Sequence, residues 1–206
     1  MSVGTRTGTK GVARAERELQ ILDAAGRVFG QRGFAATSVA DVAAEAGISK
    51  PLIYNYFGSK ESLFERCLAE ASAILIGEIE RSARLGAVGI RRALVTLEGV
   101  FAALEGRTWV WAVANDPTAP VAAGAGELLD SYRRRLEELA VEGVGELLAL
   151  AGDDDALDLQ AMTAVWSSVF ASLVTWWCDH PSVAPEQMAA RCQRLFGAVF
   201  AGDAPA

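Results

Sequence analysis

Residues 37–58 read TSVADVAAEAGISKPLIYNYFG, and this stretch decides the fold. Thr37 or Ser38 supplies a helix N-cap, Val39, Val42, Ala43 and Ala46 make a short apolar face, and Gly47 stops the helix. A second start follows at once. Ser49 can cap it, Pro51 falls in its first turn, where a missing N–H costs nothing, and Gly58 ends it. Two short helices meeting at a glycine predict helix-turn-helix geometry, and the small residues Ala43, Ala44 and Ala46 let them cross closely. Ile53 and Phe57, four apart, should face the core. Lys50, Leu52, Tyr54, Asn55 and Tyr56 are then left pointing outward or to the side. Such a helix fits the major groove of B-DNA, and the preceding helix offers its N-terminal N–H groups to a phosphate. Pattern alone equally admits a generic helical hairpin whose tyrosines pack on a neighbouring helix.

Upstream, Ile21, Leu22, Ala25, Val28 and Phe29 form one helical stripe that ends at Gly33. Residues 1–12, MSVGTRTGTKGV, are Gly/Thr-rich and basic, and are expected to be a flexible arm. Downstream, Ser59 caps a helix to about Arg84, and Gly86 and Gly89 bracket a break. Further helices are expected over about 90–104, in the aromatic run TWVWAVAN, and over about 123–151, 157–179 and 185–201. With no strand-like alternation, the fold class is all-α with about nine helices. A three-helix head at 13–60 would precede a body at 61–206.

The 206 residues carry a net charge of −7, unevenly spread. Residues 1–66 hold nine Lys/Arg against seven Asp/Glu, and the remainder ten against nineteen. A mildly basic head on an acidic body suits a nucleic-acid partner at one end. Cys67, Cys178 and Cys192 lack metal or redox spacing and read as buried thiols. No metal or cofactor is expected. His180, beside Pro181, reads as a solvated or capping residue, and Asp153, Asp154, Asp155 and Asp158 as a solvated turn. The sequence contains no nucleophile elbow, P-loop or HExxH, so an all-helical enzyme is the weakest alternative. No apolar signal segment is present near the N-terminus, and a cytoplasmic location is expected. Residues 159–178 carry no charge, yet Gln160, Thr163, Ser167, Ser168, Ser172 and Thr175 interrupt them and no Lys/Arg flanks them. A helix buried in a core and a subunit interface is expected there, rather than a membrane span.

The run ILDAAGRVFGQRGFAATSVADVAAEAGISKPLIYNYFGSKESLF, Ile21 to Phe64, resembles the DNA-binding signature of the TetR family of bacterial transcriptional regulators. The AA..VF helix, GF..TS, the VA..AGIS turn, LIYNYF and SKE..L agree in spacing. The resemblance implies a DNA-binding head followed by a ligand-binding and dimerisation bundle. It places Thr37 and Ser38 at phosphates at the start of the second helix, with Ser49 opening the reading helix. Lys50, Pro51, Leu52 and Asn55 would read or abut bases, Tyr54 and Tyr56 would touch the backbone, and Lys60 a phosphate. Ala40 departs from the polar or basic residue many relatives carry there, which shifts reading to the third helix and the basic arm.

In the body, Met162, Trp166, Val169, Phe170, Leu173 and Trp177 form one stripe, and Met188, Cys192, Leu195, Phe196 and Val199 another. The resemblance implies that these pair with their two-fold mates, giving a homodimer on a palindromic operator in double-stranded DNA. Phe101, Trp109, Trp111, Tyr132, Trp166 and Phe170 are the aromatics expected to line an effector pocket, with Arg107, Asn115 and Asp116 as weaker polar partners. The expected function is a repressor released by a small hydrophobic or aromatic effector, with a DNA-binding activator as the alternative.

Overall fold

The computed structural model describes residues 14–120 and 124–200, so the expected arm at 1–12 and residue 13 lie outside it. Nine helices and no strand are found among the described residues: α1 (Arg14–Ala36), α2 (Val39–Ala46), α3 (Lys50–Phe57), α4 (Lys60–Ala83), α5 (Gly89–Leu104), α6 (Trp109–Ala114), α7 (Gly124–Ala151), α8 (Ala156–Cys178) and α9 (Pro185–Phe200). The all-α architecture is therefore as the sequence predicts.

The α1 stripe is buried as its spacing demands, from Ile21 at 0% exposed to Val28 at 6%. Regular helix breaks at Gly33, where φ is 75° and ψ 164°, and a final turn follows to Ala36. A side chain in that left-handed backbone would be strained, so glycine suits the break. The capping box at α2 is complete. Ser38 Oγ accepts from the Asp41 amide at 3.3 Å, and Asp41 Oδ2 accepts from the Ser38 amide at 2.9 Å. The Ser38 hydroxyl, which donates to Asp41 Oδ2 at 2.6 Å, and then the Ser38 amide hold the Asp41 carboxyl below its ordinary value. Gly47 closes α2 with φ 64°. One capping expectation fails: Ser49 precedes α3 but its side chain caps nothing, and Pro51 in the first turn already removes one orphan donor.

Two ion pairs fix α2 on α1: Arg27 to Glu45 at 3.0 Å and Arg32 to Asp41 at 2.9 Å. Phe64 packs edge-on against Phe29 and Phe34, with centroids 5.1 and 5.2 Å apart, and so joins α4 to α1. Helix α4 packs against α1, α5, α6 and α7, while α6 packs against both α1 and α4. One buried cluster runs without interruption from Ile21 in the head to Cys192 in α9. At the far end, Arg92 on α5 is 7% exposed and reaches Glu146 and Glu142 on α7 at 2.6 and 3.0 Å.

Candidate nucleic-acid interface and sensing body

Helix α3 has one side held and one side free. Ile53, 1% exposed, pins it to the core, with Phe57 packed partly against the same cluster. Lys50, Pro51, Tyr54 and Asn55 are exposed, Tyr54 by 46%, and Leu52 is half-buried. Tyr56 lies to the side, with the Arg14 guanidinium 5.3 Å from its ring centre. Ser38 and Ser49 are exposed at the starts of α2 and α3. The result is a short rigid rod presenting a cation, an amide and a phenol to solvent, the side-chain set that contacts phosphates and base edges.

Two residues expected at phosphates sit differently. Thr37 is 3% exposed and its hydroxyl donates to Gly33 O at 2.8 Å, so it braces the α1–α2 corner from behind. Lys60 is half-buried, and its ammonium donates to Phe34 O and Thr37 O at 2.8 Å each. Two of its three N–H donors are thus spent within the subunit.

The six aromatics expected around one pocket divide into separate groups. Phe101, 0% exposed, packs on Trp177 with centroids 5.3 Å apart. Trp109 is pressed against α1, where a methyl group on Gly26 would fall 2.5 Å from its ring. Tyr132 is buried on α7, and desolvation pushes its hydroxyl well above the ordinary range. Trp111, Phe170 and Trp166 form a chain with centroid separations of 6.2 and 6.1 Å, and Phe196 extends it by a further 6.2 Å. Trp111 Nε1 also donates to Thr175 Oγ1 at 3.0 Å, tying α6 to α8. Two half-open hollows occur elsewhere. One of about 350 Å³ lies beside Tyr56, Phe57, Glu65 and Leu128, and one of about 340 Å³ beside Leu173, Trp176, Arg191 and Leu195. None of the six aromatics lines either hollow. The weaker polar candidates are engaged locally: Arg107 Nε donates to Ala103 O, Asn115 Nδ2 to Trp111 O, and Asp116 accepts from Phe34 and Thr118.

The two stripes of α8 and α9 also split. Met162 and Leu195 are 38% and 56% exposed, while Trp166, Val169, Phe170, Leu173 and Phe196 are half-buried. Trp177, Met188 and Cys192 are 5%, 2% and 1% exposed and face their own subunit, which removes them from any outer surface. Trp177 Nε1 donates to Val183 O at 2.8 Å there. The Val199 side chain lies outside the described residues. Val165 and Trp176, not expected in the face, are 56% and 43% exposed on it. Among the described residues α8 alone is long and apolar enough to cross a membrane, and only 11% of its most apolar window is buried.

His180 stacks on Trp176 at 3.8 Å, with Nδ1 2.6 Å from Trp176 O. Asp153 and Asp155 accept amide hydrogen bonds that shape the turn into α8. No cluster of three or more metal-ligating side chains occurs among the described residues.

Residues 21–67 match the family described as "Bacterial regulatory proteins, tetR family". The transcriptional activator FasR of Mycolicibacterium smegmatis is 32% identical over 102 residues, 50% of this chain and 46% of its own length. The transcriptional repressor BdcR of Escherichia coli is 44% identical over 68 residues, 32% of this chain and 34% of its own. The chain thus spans less than half the length of these curated relatives. Over nearly the whole fold, it resembles a TetR-like regulator from Rhodococcus sp. RHA1, with a TM-score of 0.72, 25% identity, and coverage of 94% of this chain and 100% of that one. It is also similar to FadR of Bacillus subtilis, solved with stearoyl-CoA, with a TM-score of 0.67, 18% identity and coverage of 90% and 98%.

Proposed function

We propose that the chain, whose residues 21–67 match the tetR family of bacterial regulatory proteins, is a cytoplasmic, dimeric repressor of that family that leaves a palindromic operator when a small hydrophobic effector binds its body. The observation that carries the reading is the free side of α3: Lys50, Pro51, Tyr54 and Asn55 lie in solvent on a helix fixed from behind by Ile53. Lys50 and Asn55 are the base-reading pair, with Pro51 and Leu52 against the base edges. Tyr54, Tyr56, Ser38 and Ser49 position the backbone. Thr37 and Lys60 act from behind, with the third ammonium donor of Lys60 left for a phosphate.

The dimer reading rests on the outer face of α8 and α9. Met162, Val165, Trp176 and Leu195 expose apolar surface there, continuous with half-buried Trp166, Phe170 and Phe196. A second copy covers such a face by two-fold symmetry, and this accounts for the apolar length of α8 without a bilayer. The Trp111–Phe170–Trp166 chain runs inward from that face to α6 and is the proposed effector contact. FadR, which binds stearoyl-CoA, makes that thioester a sensible first probe. Shifting a population from 99:1 bound-competent to 1:99 takes about 5.5 kcal/mol of differential affinity, which two effector sites can share.

The test is selection of bound duplex from a random pool, followed by release assays with stearoyl-CoA and a panel of apolar metabolites. Recovery of a palindrome and its release by one of them is the expected result. Failure to enrich any sequence removes the reading. The named activity of FasR supports a second reading, an activator. Transcription in vitro from the selected site separates the two, since a repressor lowers the yield and an activator raises it.

A further inference from the structure

We propose that Asp116 and Thr118, on the loop after α6, position the DNA-reading head relative to the sensing body; this rests on the regulator reading above. The break at Gly33 leaves two amides beyond it, those of Phe34 and Ala35, available to partners outside α1. Both are claimed by residues more than eighty positions later. Phe34 N–H donates to Asp116 Oδ2 at 2.6 Å, and Ala35 N–H donates to Thr118 Oγ1 at 3.1 Å. The loop making these contacts is itself braced. Asp116 Oδ1 accepts from the Thr118 amide at 2.8 Å and the Thr118 hydroxyl at 2.7 Å, and Asp116 is only 8% exposed.

The opposite side of the same short segment is held by α4, through Lys60 on Phe34 O and Thr37 O. Residues 34–37 are therefore clamped between the body's loop and the first residue of α4, immediately before Ser38 starts α2. Helix α6 carries the connection inward. Its Trp109 presses on α1 at Gly26 and Gly30, and its Trp111 is bonded to Thr175 and packed on Phe170 of α8. A displacement of Trp111 thus has a contiguous path, six residues long in sequence, to the amides that enter the helix-turn-helix. The hydrogen bond that the Phe34 amide donates to the Asp116 carboxylate is the short, strong kind suited to fixing an angle.

The experiment compares the full chain with Thr118→Val, which loses the hydroxyl, and Thr118→Ser, which keeps it. Asp116→Asn, which keeps the shape without the charge, is a second probe. Three quantities are read: affinity for the selected palindrome, affinity for a duplex with one half-site, and amide hydrogen exchange over residues 33–37. Thr118→Val is expected to weaken palindrome binding about tenfold, within the range of couplings between sites. Half-site binding should be unchanged, exchange at Ala35 should accelerate, and Thr118→Ser should match the parent. Equal losses on both duplexes would mean a damaged head and would overturn the proposal, as would unaltered exchange at Ala35. Should the parent chain select no duplex, the regulator reading fails instead, and the exchange measurement still decides whether the contact holds the segment.

Discussion

Lys60 reaches back from the first residue of α4 to donate a 2.8 Å hydrogen bond to the Phe34 carbonyl, with its ammonium 4.0 Å from the centre of the Phe34 ring. One side chain thus satisfies a carbonyl left by the break in α1 and stacks on the aromatic ring beside it. Lys60→Met keeps the aliphatic stem and removes the charge. The expected cost is about 2 kcal/mol, the range for a hydrogen bond to a charged group. Urea unfolding measures it. An unchanged midpoint, with the salt slope of DNA binding reduced by about one, would instead place the ammonium chiefly on a phosphate.

On the free side of α3, Asn55→Ala and Lys50→Ala should change which sequences bind, by about 1–3 kcal/mol at the base contacted. Tyr54→Phe should weaken all duplexes alike, because a phosphate contact carries no sequence information. Repeating the pool selection with each variant gives the answer; identical selected sequences from both Asn55→Ala and Lys50→Ala would mean that another surface reads the bases.

Gly26→Ala sets two effects against each other. Alanine gains about 1 kcal/mol over glycine in helix propensity. The new methyl would meet the Trp109 ring at 2.5 Å, and that ring is only 9% exposed with little room to retreat. Overpacking of this kind costs about 1–3 kcal/mol, so net destabilisation is expected in chemical unfolding. A more stable variant would show that α6 yields to α1.

Leu195→Glu alters a side chain that is 56% exposed in the subunit, so the fold should survive. Sedimentation should show a shift from dimer to monomer, and palindrome binding should fall with it. A dimer that persists in Leu195→Glu and in Met162→Glu would move the interface off α8 and α9.

Stability should fall on the alkaline side. Desolvation raises the Cys67 thiol far above its ordinary 9.0 and the Tyr132 hydroxyl above 10.0, and pushes Cys178 up to about 11. These are neutral acids, so as pH rises they ionise first in the unfolded chain. That chain then binds fewer protons than the native one, and stability drops with pH. The decline should begin near pH 9 and steepen past 10. Urea midpoints across pH 7–11 test this, and a flat profile would contradict the burial of Cys67 and Tyr132.

How far the sequence could be read depends on the distance over which each signal acts. Gly33, Gly47 and Gly58 mark breaks through their own backbone conformation, so the α1–α3 boundaries were legible locally. With Ile53 in the core, helical spacing leaves Lys50, Tyr54 and Asn55 exposed. The reach of Lys60 to Phe34 spans 26 positions, and that of Asp116 to the same residue spans 82. No periodicity records such pairs, so the sequence alone places neither Lys60 nor Asp116 beside Phe34. In α8 the difficulty was different. Trp176 is exposed and Trp177 buried, and both are apolar, so a hydrophobic stripe could not tell the side facing its own subunit from the side facing out.

If a second copy is what covers the outward side of α8, as proposed, that side bears on how the chain lives before pairing. Leu157, Val165 and Trp176 are 72%, 56% and 43% wetted in a solitary subunit. A newly synthesised copy therefore carries a sticky flank whose lifetime depends on abundance. Its melting temperature should climb as the solution is concentrated, by mass action. On the same proposal, a fall in cellular level raises the fraction of solitary copies open to proteases, so scarcity hastens turnover.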